Sequence, residues 1–351
     1  MTEIAILDPR SDAEPDGWAD FVRRQRLHPV WAFDLMRVES WLARNPVLLA
    51  TVRRDGRIVA GMSLVACLSW RRQRYAPPPA GGTRRLRPWL VEVVQPWLSG
   101  YPGVVFADEV EPPDRRAMVA LFERELVRYL GPGPVGVLYR QLGDGDLAAL
   151  TGRGRLTRAV DPVAVLHNTF ADEEQWLASL PKKRRANLRR QRRIVAADPN
   201  LVVRGGPGRT DLNWTEASAL INRHRAQFSR PLIDNRSPVA ARFLATYLSR
   251  SDVHTLTYHD TSGRLLALHI MMDNEYSPAL QHWAALPVRD GGRQHLYFDA
   301  HWRGIRYVVA AGRAELTDGR GLLELKSDLG FGTRGLHTVA VPRPMLGRMS
   351  R

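Results

Sequence analysis

A lysine presented after a glycine-rich turn is the sharpest chemical feature of the sequence. Thr317-Asp-Gly-Arg-Gly-Leu-Leu-Glu-Leu-Lys326-Ser-Asp-Leu-Gly-Phe331 reads as a strand end, a turn and a short helix carrying Lys326. An ammonium in such a place can neutralise charge developing on a carbonyl oxygen, or meet a phosphate. The bland alternative is a solvated surface lysine, the common fate of that residue. Asp318, in the turn ahead of it, is a candidate for an acceptor pocket. Upstream, Gln281-His-Trp-Ala-Ala-Leu-Pro-Val-Arg-Asp-Gly-Gly-Arg-Gln-His-Leu-Tyr-Phe-Asp299 reads as a strand, a glycine turn and a helix start. A helix that opens on such a turn points backbone N–H groups and its dipole at an anion. Gly291 and Gly292, flanked by Arg289 and Arg293, are therefore donor-binding candidates. His282 and Asp299 (and His301 beyond them) can accept a proton. Trp283 and Tyr297 can line an acceptor or adenine pocket, although aromatic residues at such positions more often belong to the core.

A third feature is a run of charge. Leu180-Pro-Lys-Lys-Arg-Arg-Ala-Asn-Leu-Arg-Arg-Gln-Arg-Arg-Ile-Val195 holds eight basic residues and no acidic one between Lys182 and Arg193. Pro181 suits a first helical turn. Lys182, Lys183, Arg184, Arg185, Arg189, Arg190 and Arg193 cannot all be buried, and without acidic partners they repel one another. A polyanion would relieve that repulsion. Arg185 and Arg189, four apart, share a face. The whole chain points the same way: Lys and Arg number 51 against 36 Asp and Glu, a net charge of +15. Such a field attracts nucleic acid, anionic membrane or phosphorylated cofactors.

The elements that must position these groups form a repeat. Residues 45–64 and 252–270 each read as a β-prone run, a polar turn ending in Gly-Arg, and a second β-prone run. Asp55-Gly56 and Ser262-Gly263 are hairpin signals. A separation of about 200 residues is too long for a solenoid period and suits a duplicated domain. Helical stretches precede both hairpins, at 18–44 and, broken near Pro231 and Pro238, at 214–250. A Pro/Gly loop (Ala76 to Gly82), a helix over 114–129 and a strand over 135–139 follow the first hairpin. A strand over 279–286, a helix over 294–311, a strand near 314–317 and a short helix over 322–329 follow the second, with Gly330 as its cap. Each half is thus a mixed α/β layer structure. The expected lobes are 1–160 and 161–351, joined through a loop-like 141–158.

Several chemistries are excluded or disfavoured. Cys67 is the single cysteine, so internal disulfides and cysteine zinc sites are out, and a reducing cytoplasm is the expected compartment. Ten histidines are scattered without ligand spacing, so no metal is expected. No Gly-x-Ser-x-Gly elbow supports a hydrolase. No run reaches the ~20 apolar residues of a membrane span, and Met1 to Arg10 lacks the pattern of a signal peptide.

The basic helix with Arg185 and Arg189, the 297–312 helix, and the Asp318-Gly-Arg-Gly-x4-Lys326-x2-Leu-Gly-Phe331 ending together resemble the GNAT superfamily, in its FemABX-like branch with two GNAT lobes. The likeness covers roughly residues 165–335, and the first hairpin extends it. It implies tandem lobes, each a mixed β-sheet flanked by helices. It also implies acyl transfer to an amine, with the family's lysine at Lys326. Members take the acyl group from acyl-CoA or an aminoacyl group from charged tRNA, so no tightly bound cofactor is implied. The CoA pattern Gln/Arg-x-x-Gly-x-Gly/Ala is matched at Arg289-Asp-Gly-Gly292 but departs at Gln294. With the basic helix, this favours aminoacyl-tRNA as co-substrate over acyl-CoA. No coiled-coil insertion is seen, which favours a small-molecule amine as acceptor, as in peptide-antibiotic assembly. On this reading lobe one is scaffold and acceptor side, and lobe two binds donor and performs catalysis. A non-catalytic nucleic-acid-binding module is the competing class, and the complete Lys326 ending argues against it.

Overall fold

The computed structural model describes residues 2–68, 87–227 and 236–348. The expected loop at Ala76 to Gly82 and the expected break at Pro231 lie outside them. The chain opens with β1 (Thr2–Leu7), α1 (Trp18–Arg24) and α2 (Phe33–Leu42). The hairpin β2 (Val47–Arg54) and β3 (Arg57–Cys67) follows, then β4 (Leu90–Val93), β5 (Val104–Phe106), α3 (Pro112–Leu130) and β6 (Gly136–Leu142). Next come α4 (Asp144–Leu150), β7 (Leu156–His167), α5 (Glu173–Ser179), α6 (Lys182–Ala197), β8 (Leu201–Pro207), α7 (Trp214–Ala226) and α8 (Ala241–Leu248). The hairpin β9 (Val253–Asp260) and β10 (Leu265–Met272) leads to β11 (Ala279–Ala285), α9 (Leu296–Ala310), β12 (Glu315–Asp318), α10 (Leu323–Ser327) and β13 (Gly332–Pro342).

The chain divides into two compact units. One comprises Met1–Pro162, Pro231–Pro238 and Gly335–Arg351; the other comprises Val163–Arg230 and Val239–Arg334. Their sheets have the same plan. In the first the strand order is β1-β2-β3-β4-β6-β13, antiparallel except for the parallel pair β4/β6. In the second it is β8-β9-β10-β11-β12-β7, antiparallel except for the parallel pair β11/β12. The two Gly-Arg hairpins thus occupy equivalent places, as the repeat requires. Asp55 (φ 51°) and Gly56 (φ 81°) both take the left-handed conformation that a two-residue hairpin turn demands.

The boundaries differ from the sequence expectation in instructive ways. The first unit extends to Pro162, and its last strand is β13, drawn from the C-terminal segment. The segment 141–158 holds the end of β6, all of α4 and the start of β7, in place of a loop. The helix expected over 18–44 ends already at Arg24, with Arg26 at φ 47°; a 3₁₀ turn opening on Pro29 and then α2 follow.

Each unit is held by an aromatic-rich core. In the first, Trp18, Phe21 and Trp31 are buried together, and Gly61 leaves room for the Trp18 ring: a Cβ there would lie 2.7 Å from it. Beneath that sheet, Arg155 and Glu123 form a buried bidentate ion pair at 2.7 and 2.9 Å, with Tyr139 Oη donating to the same carboxylate. In the second, Trp176, Leu177, Leu188, Trp302, Ile305 and Leu316 pack into one cluster. Trp176 Nε1 donates to Leu329 O at 3.0 Å and so ties α5 to the turn after α10.

Candidate active site

The second unit's sheet opens where its two parallel strands meet. β11 pairs with β12 only at Ala279 and Leu280, opposite Thr317 and Asp318. Beyond Leu280 the two chains part, and α9 covers the face onto which the site side chains project. The register of β11 on β10 slips by one residue between Gln281 and Ala284, where His282 takes φ 52°. Such a bulge re-aims every following side chain. It turns Trp283 onto the α9 face, where its ring meets His269 (5.7 Å) and Tyr297 (5.6 Å) edge-on. It leaves His282 beside Arg225 of α7, where burial and that charge push its pKa down to about 3.

On the α9 face, four groups converge. His301 Nε2 lies 2.8 Å from Asp318 Oδ2, and its Nδ1 lies 2.7 Å from Tyr297 O. Lys326 Nζ donates to Asp318 O and lies 3.4 Å from Asp318 Oδ1. His269 stacks on His301 at 4.7 Å, and one ligand atom from each of His269, His301 and Asp318 lies within 4.8 Å of the others. Asp318, His301, His269 and Lys326 are all buried. Burial alone would raise Asp318; the hydrogen-bonded His301 and the Lys326 ammonium overcome it and hold the carboxyl at about 2. Burial lowers Lys326, with Asp318 opposing. Burial and the neighbouring His301 keep His269 neutral, well below the ordinary histidine range. Burial and the Asp318 charge push Tyr297 up, so its hydroxyl stays a donor; Tyr297 Oη is buried with no hydrogen-bond partner among the described residues.

Local structure explains the placement. The Gly319-Arg-Gly321 turn reverses the chain after β12, and Leu322 (φ 55°) starts α10 from a left-handed cap. The turn after α10 is closed by Leu329 and Phe331 N–H groups donating to Lys326 O, with Gly330 at φ 88°. This fixes the Lys326 backbone and aims its side chain back at Asp318.

The structure therefore brings together Lys326, Asp318, Trp283 and Tyr297. It does not bring His282 or Asp299 to them. Asp299 accepts from Tyr258 Oη (2.8 Å) and Arg303 Nε (2.7 Å), a buried network on the inner side of α9. His269 was not singled out by the sequence; the signal was a lone imidazole inside the apolar strand Leu265–Met272.

The donor-binding candidates separate into two groups. Gly291 (φ 89°) and Gly292 form the turn ahead of α9, and a Cβ on Gly292 would sit 1.9 Å from Leu286 O, so only glycine fits. Arg289 is exposed, while Arg293 donates to Gly291 O and pairs with Asp198 at 3.3 Å. On α6 several charges that lack partners in sequence find them in space. Arg184 lies over the Phe298 ring (4.4 Å) and donates to Asp328 O; Arg189 pairs with Glu174, and Arg192 with Glu173. Arg185 caps α5 by donating to Ala178 O at 3.1 Å, with Leu177 O and Leu180 O at 3.5 Å. Arg190 reaches Asn187. Lys182, Lys183 and Arg193 are exposed with no acidic partner among the described residues. The face open to a polyanion is thus Lys182, Lys183, Arg190 and Arg193, and a groove beside it is lined by Lys183, Arg184, Asn187 and Arg190 together with Asp328, the partner of Arg184.

Comparison with protein-family models finds no match, and comparison with curated proteins finds none either. Solved structures are similar along almost the whole chain. The L-PGS of Bacillus licheniformis aligns with a TM-score of 0.58 at 10% identity, over 95% of this chain and 98% of that one. FemX aligns at 0.55 and 10%, over 93% and 96%. A tandem GNAT protein from the clavulanic acid biosynthesis pathway aligns at 0.51 and 12%, over 98% and 99%. The chain has the tandem GNAT, FemABX-like fold that the resemblance implied. No described helix is long and apolar enough to cross a membrane.

Proposed function

We propose that the chain is an acyltransferase that forms an amide by moving an aminoacyl group from aminoacyl-tRNA to the amine of a small molecule. The observation that carries this is the buried Asp318–Lys326–His301 constellation at the open end of the β11/β12 pair. The amine nitrogen attacks the ester carbonyl carbon, the ester C–O bond breaks, and the amine's proton ends on the departing ribose oxygen. Such a step needs no protein nucleophile. It needs a positioned carbonyl, an unprotonated amine and a stabilised oxyanion. The Lys326 ammonium and the protonated Tyr297 hydroxyl are the donors for that oxyanion. Neutral His269 offers a nitrogen that accepts a hydrogen bond from the amine. Asp318 holds Lys326 and His301 in place. On this reading the second unit binds donor and performs the chemistry, and the first serves as scaffold and acceptor side.

The tRNA donor is supported by the exposed cations Lys182, Lys183, Arg190 and Arg193 on α6. The test is tRNA binding across a salt series. Lys183→Ala with Arg190→Ala should weaken binding and reduce the slope of log K against log salt by about one for each phosphate that α6 no longer neutralises. An unchanged slope overturns the RNA-binding role of α6. Arg185→Ala is expected to act through stability, since it removes a cap on α5.

A second reading, transfer from acyl-CoA, is favoured by a separate feature. The Gly291-Gly292 turn at the N-terminus of the 15-residue helix α9, with exposed Arg289, is a fit for a pyrophosphate. Product that forms without tRNA and requires CoA would select it.

A further inference from the structure

A cavity of about 260 Å³ adjoins the candidate site on the α9 face of the second unit. Leu256, Met271, Leu280, Gly304 and Tyr307 line it, and His269 forms part of its wall. It is connected to the chemistry in two ways. Leu280 is the residue paired with Asp318 across the parallel strands. His269 itself stacks on His301. At a water's share of ~30 Å³, the volume suits roughly nine atoms, below the range of larger ligands. That is the size of an amino-acid side chain.

Two observations say what belongs there. First, His269 is 3% exposed and lines the cavity, and burial with the neighbouring His301 keeps its imidazole neutral, so the ring offers one hydrogen-bond donor and one acceptor at the cavity wall. Second, among the described residues no Asp or Glu lines the cavity, whereas Arg303 and Arg306 do. The acids bonded to its lining residues are already engaged: Asp299 with Arg303, Glu173 with Arg306 and Arg192, and Asp273 with Tyr307 Oη and Arg313. A cationic side chain would be desolvated there, and each of these carboxylates already has a cationic partner.

We propose that this cavity receives the side chain of the transferred aminoacyl group, and that this side chain is uncharged and apolar, of leucyl or phenylalanyl size, not lysyl or arginyl. The assignment rests on the aminoacyl-transfer reading above. His269 then hydrogen-bonds the polar backbone of the group at the cavity mouth, and the apolar walls take its side chain.

The test is direct binding, followed by ligand-observed NMR on the full-length protein. The probes are N-acetyl-leucinamide, N-acetyl-phenylalaninamide, N-acetyl-lysinamide and N-acetyl-glycinamide. The leucyl or phenylalanyl probe is expected to bind at least tenfold tighter than the glycyl one, and the lysyl probe no tighter than the glycyl. Gly304 supplies the perturbation: a Cβ there would meet the Leu280 side chain at 3.2 Å, so a larger residue fills the cavity. In Gly304→Leu the preference for the apolar probes over the glycyl one should fall at least tenfold. Val203→Trp at the cavity wall should give the same result should Gly304→Leu fail to fold. A lysyl probe that binds as well as the leucyl one, or a preference that survives both variants, overturns the assignment. Transfer assays with charged tRNA keep the two readings apart. Transfer without side-chain preference sinks the cavity alone, and probe binding without any transfer sinks the aminoacyl-transfer reading.

Discussion

Replacing Lys326 by methionine separates the two roles that its position gives it. The side chain is 6% exposed and its acidic partner, Asp318, is 8% exposed. Removing the ammonium leaves a buried carboxylate held by His301 alone. Breaking a buried pair costs about 3–5 kcal/mol when nothing else compensates. Because His301 remains bonded to Asp318, a loss of roughly 2–3 kcal/mol is expected, below that full cost. For a unit of about 160 residues this lowers Tm by about 5–10 °C. The catalytic loss is separate. An oxyanion donor in a water-excluded site is worth about 10²–10³-fold in turnover. Asp318→Asn in the same chain removes the orphaned charge, so the double variant should recover most of the lost Tm and none of the lost turnover. Calorimetry and single-turnover transfer read the two quantities independently. Turnover of Lys326→Met within about threefold of wild type, with the Tm drop present, would reduce Lys326 to a partner of Asp318 and refute its place in the chemistry.

Two further outcomes concern stability. Arg155→Met leaves Glu123 buried without its guanidinium and should cost about 3–5 kcal/mol, seen as a lower urea midpoint with an unchanged m-value. Acid should also destabilise the fold early. His282 and His269 both titrate lower when folded, so the unfolded chain binds more protons below the ordinary histidine value of 6.5. Stability is therefore complete above that pH and falls as pH drops towards 3, by about 2–4 kcal/mol between pH 7 and pH 5 for the pair. Asp318, held at about 2, adds its own loss only as pH falls below its ordinary value of 3.8. Urea midpoints that match at pH 7 and pH 5 would contradict the burial of these imidazoles.

The duplicated plan was legible because hairpin chemistry is local: Asp55-Gly56 and Ser262-Gly263 announce their turns without any knowledge of the sheet. The Lys326 ending was legible for the same reason. The face a strand residue points to was not. Strict alternation from Leu280 would put His282 beneath α9 and turn Trp283 away, and one bulged residue reverses both. His269 carried no local mark beyond being polar in an apolar strand, and its meaning comes from α9 and β12 arriving from elsewhere in the chain. The basic helix failed in a third way. Its acidic partners, Glu173, Glu174 and Asp328, lie outside the run, so a count within 182–193 overstated the free charge. The C-terminal strand returns to the first unit through long-range pairing with β6, which no local pattern encodes.

Whether the chain joins an aminoacyl group from tRNA to an amine is decided by mass spectrometry of reactions containing a panel of small-molecule amines, with charged total tRNA and acyl-CoAs supplied in parallel. The expected product is a new amide carrying an amino-acid mass, formed with charged tRNA, abolished by ribonuclease and indifferent to CoA. An amide that forms from acyl-CoA alone, or no adduct from either donor, would contradict the proposed function.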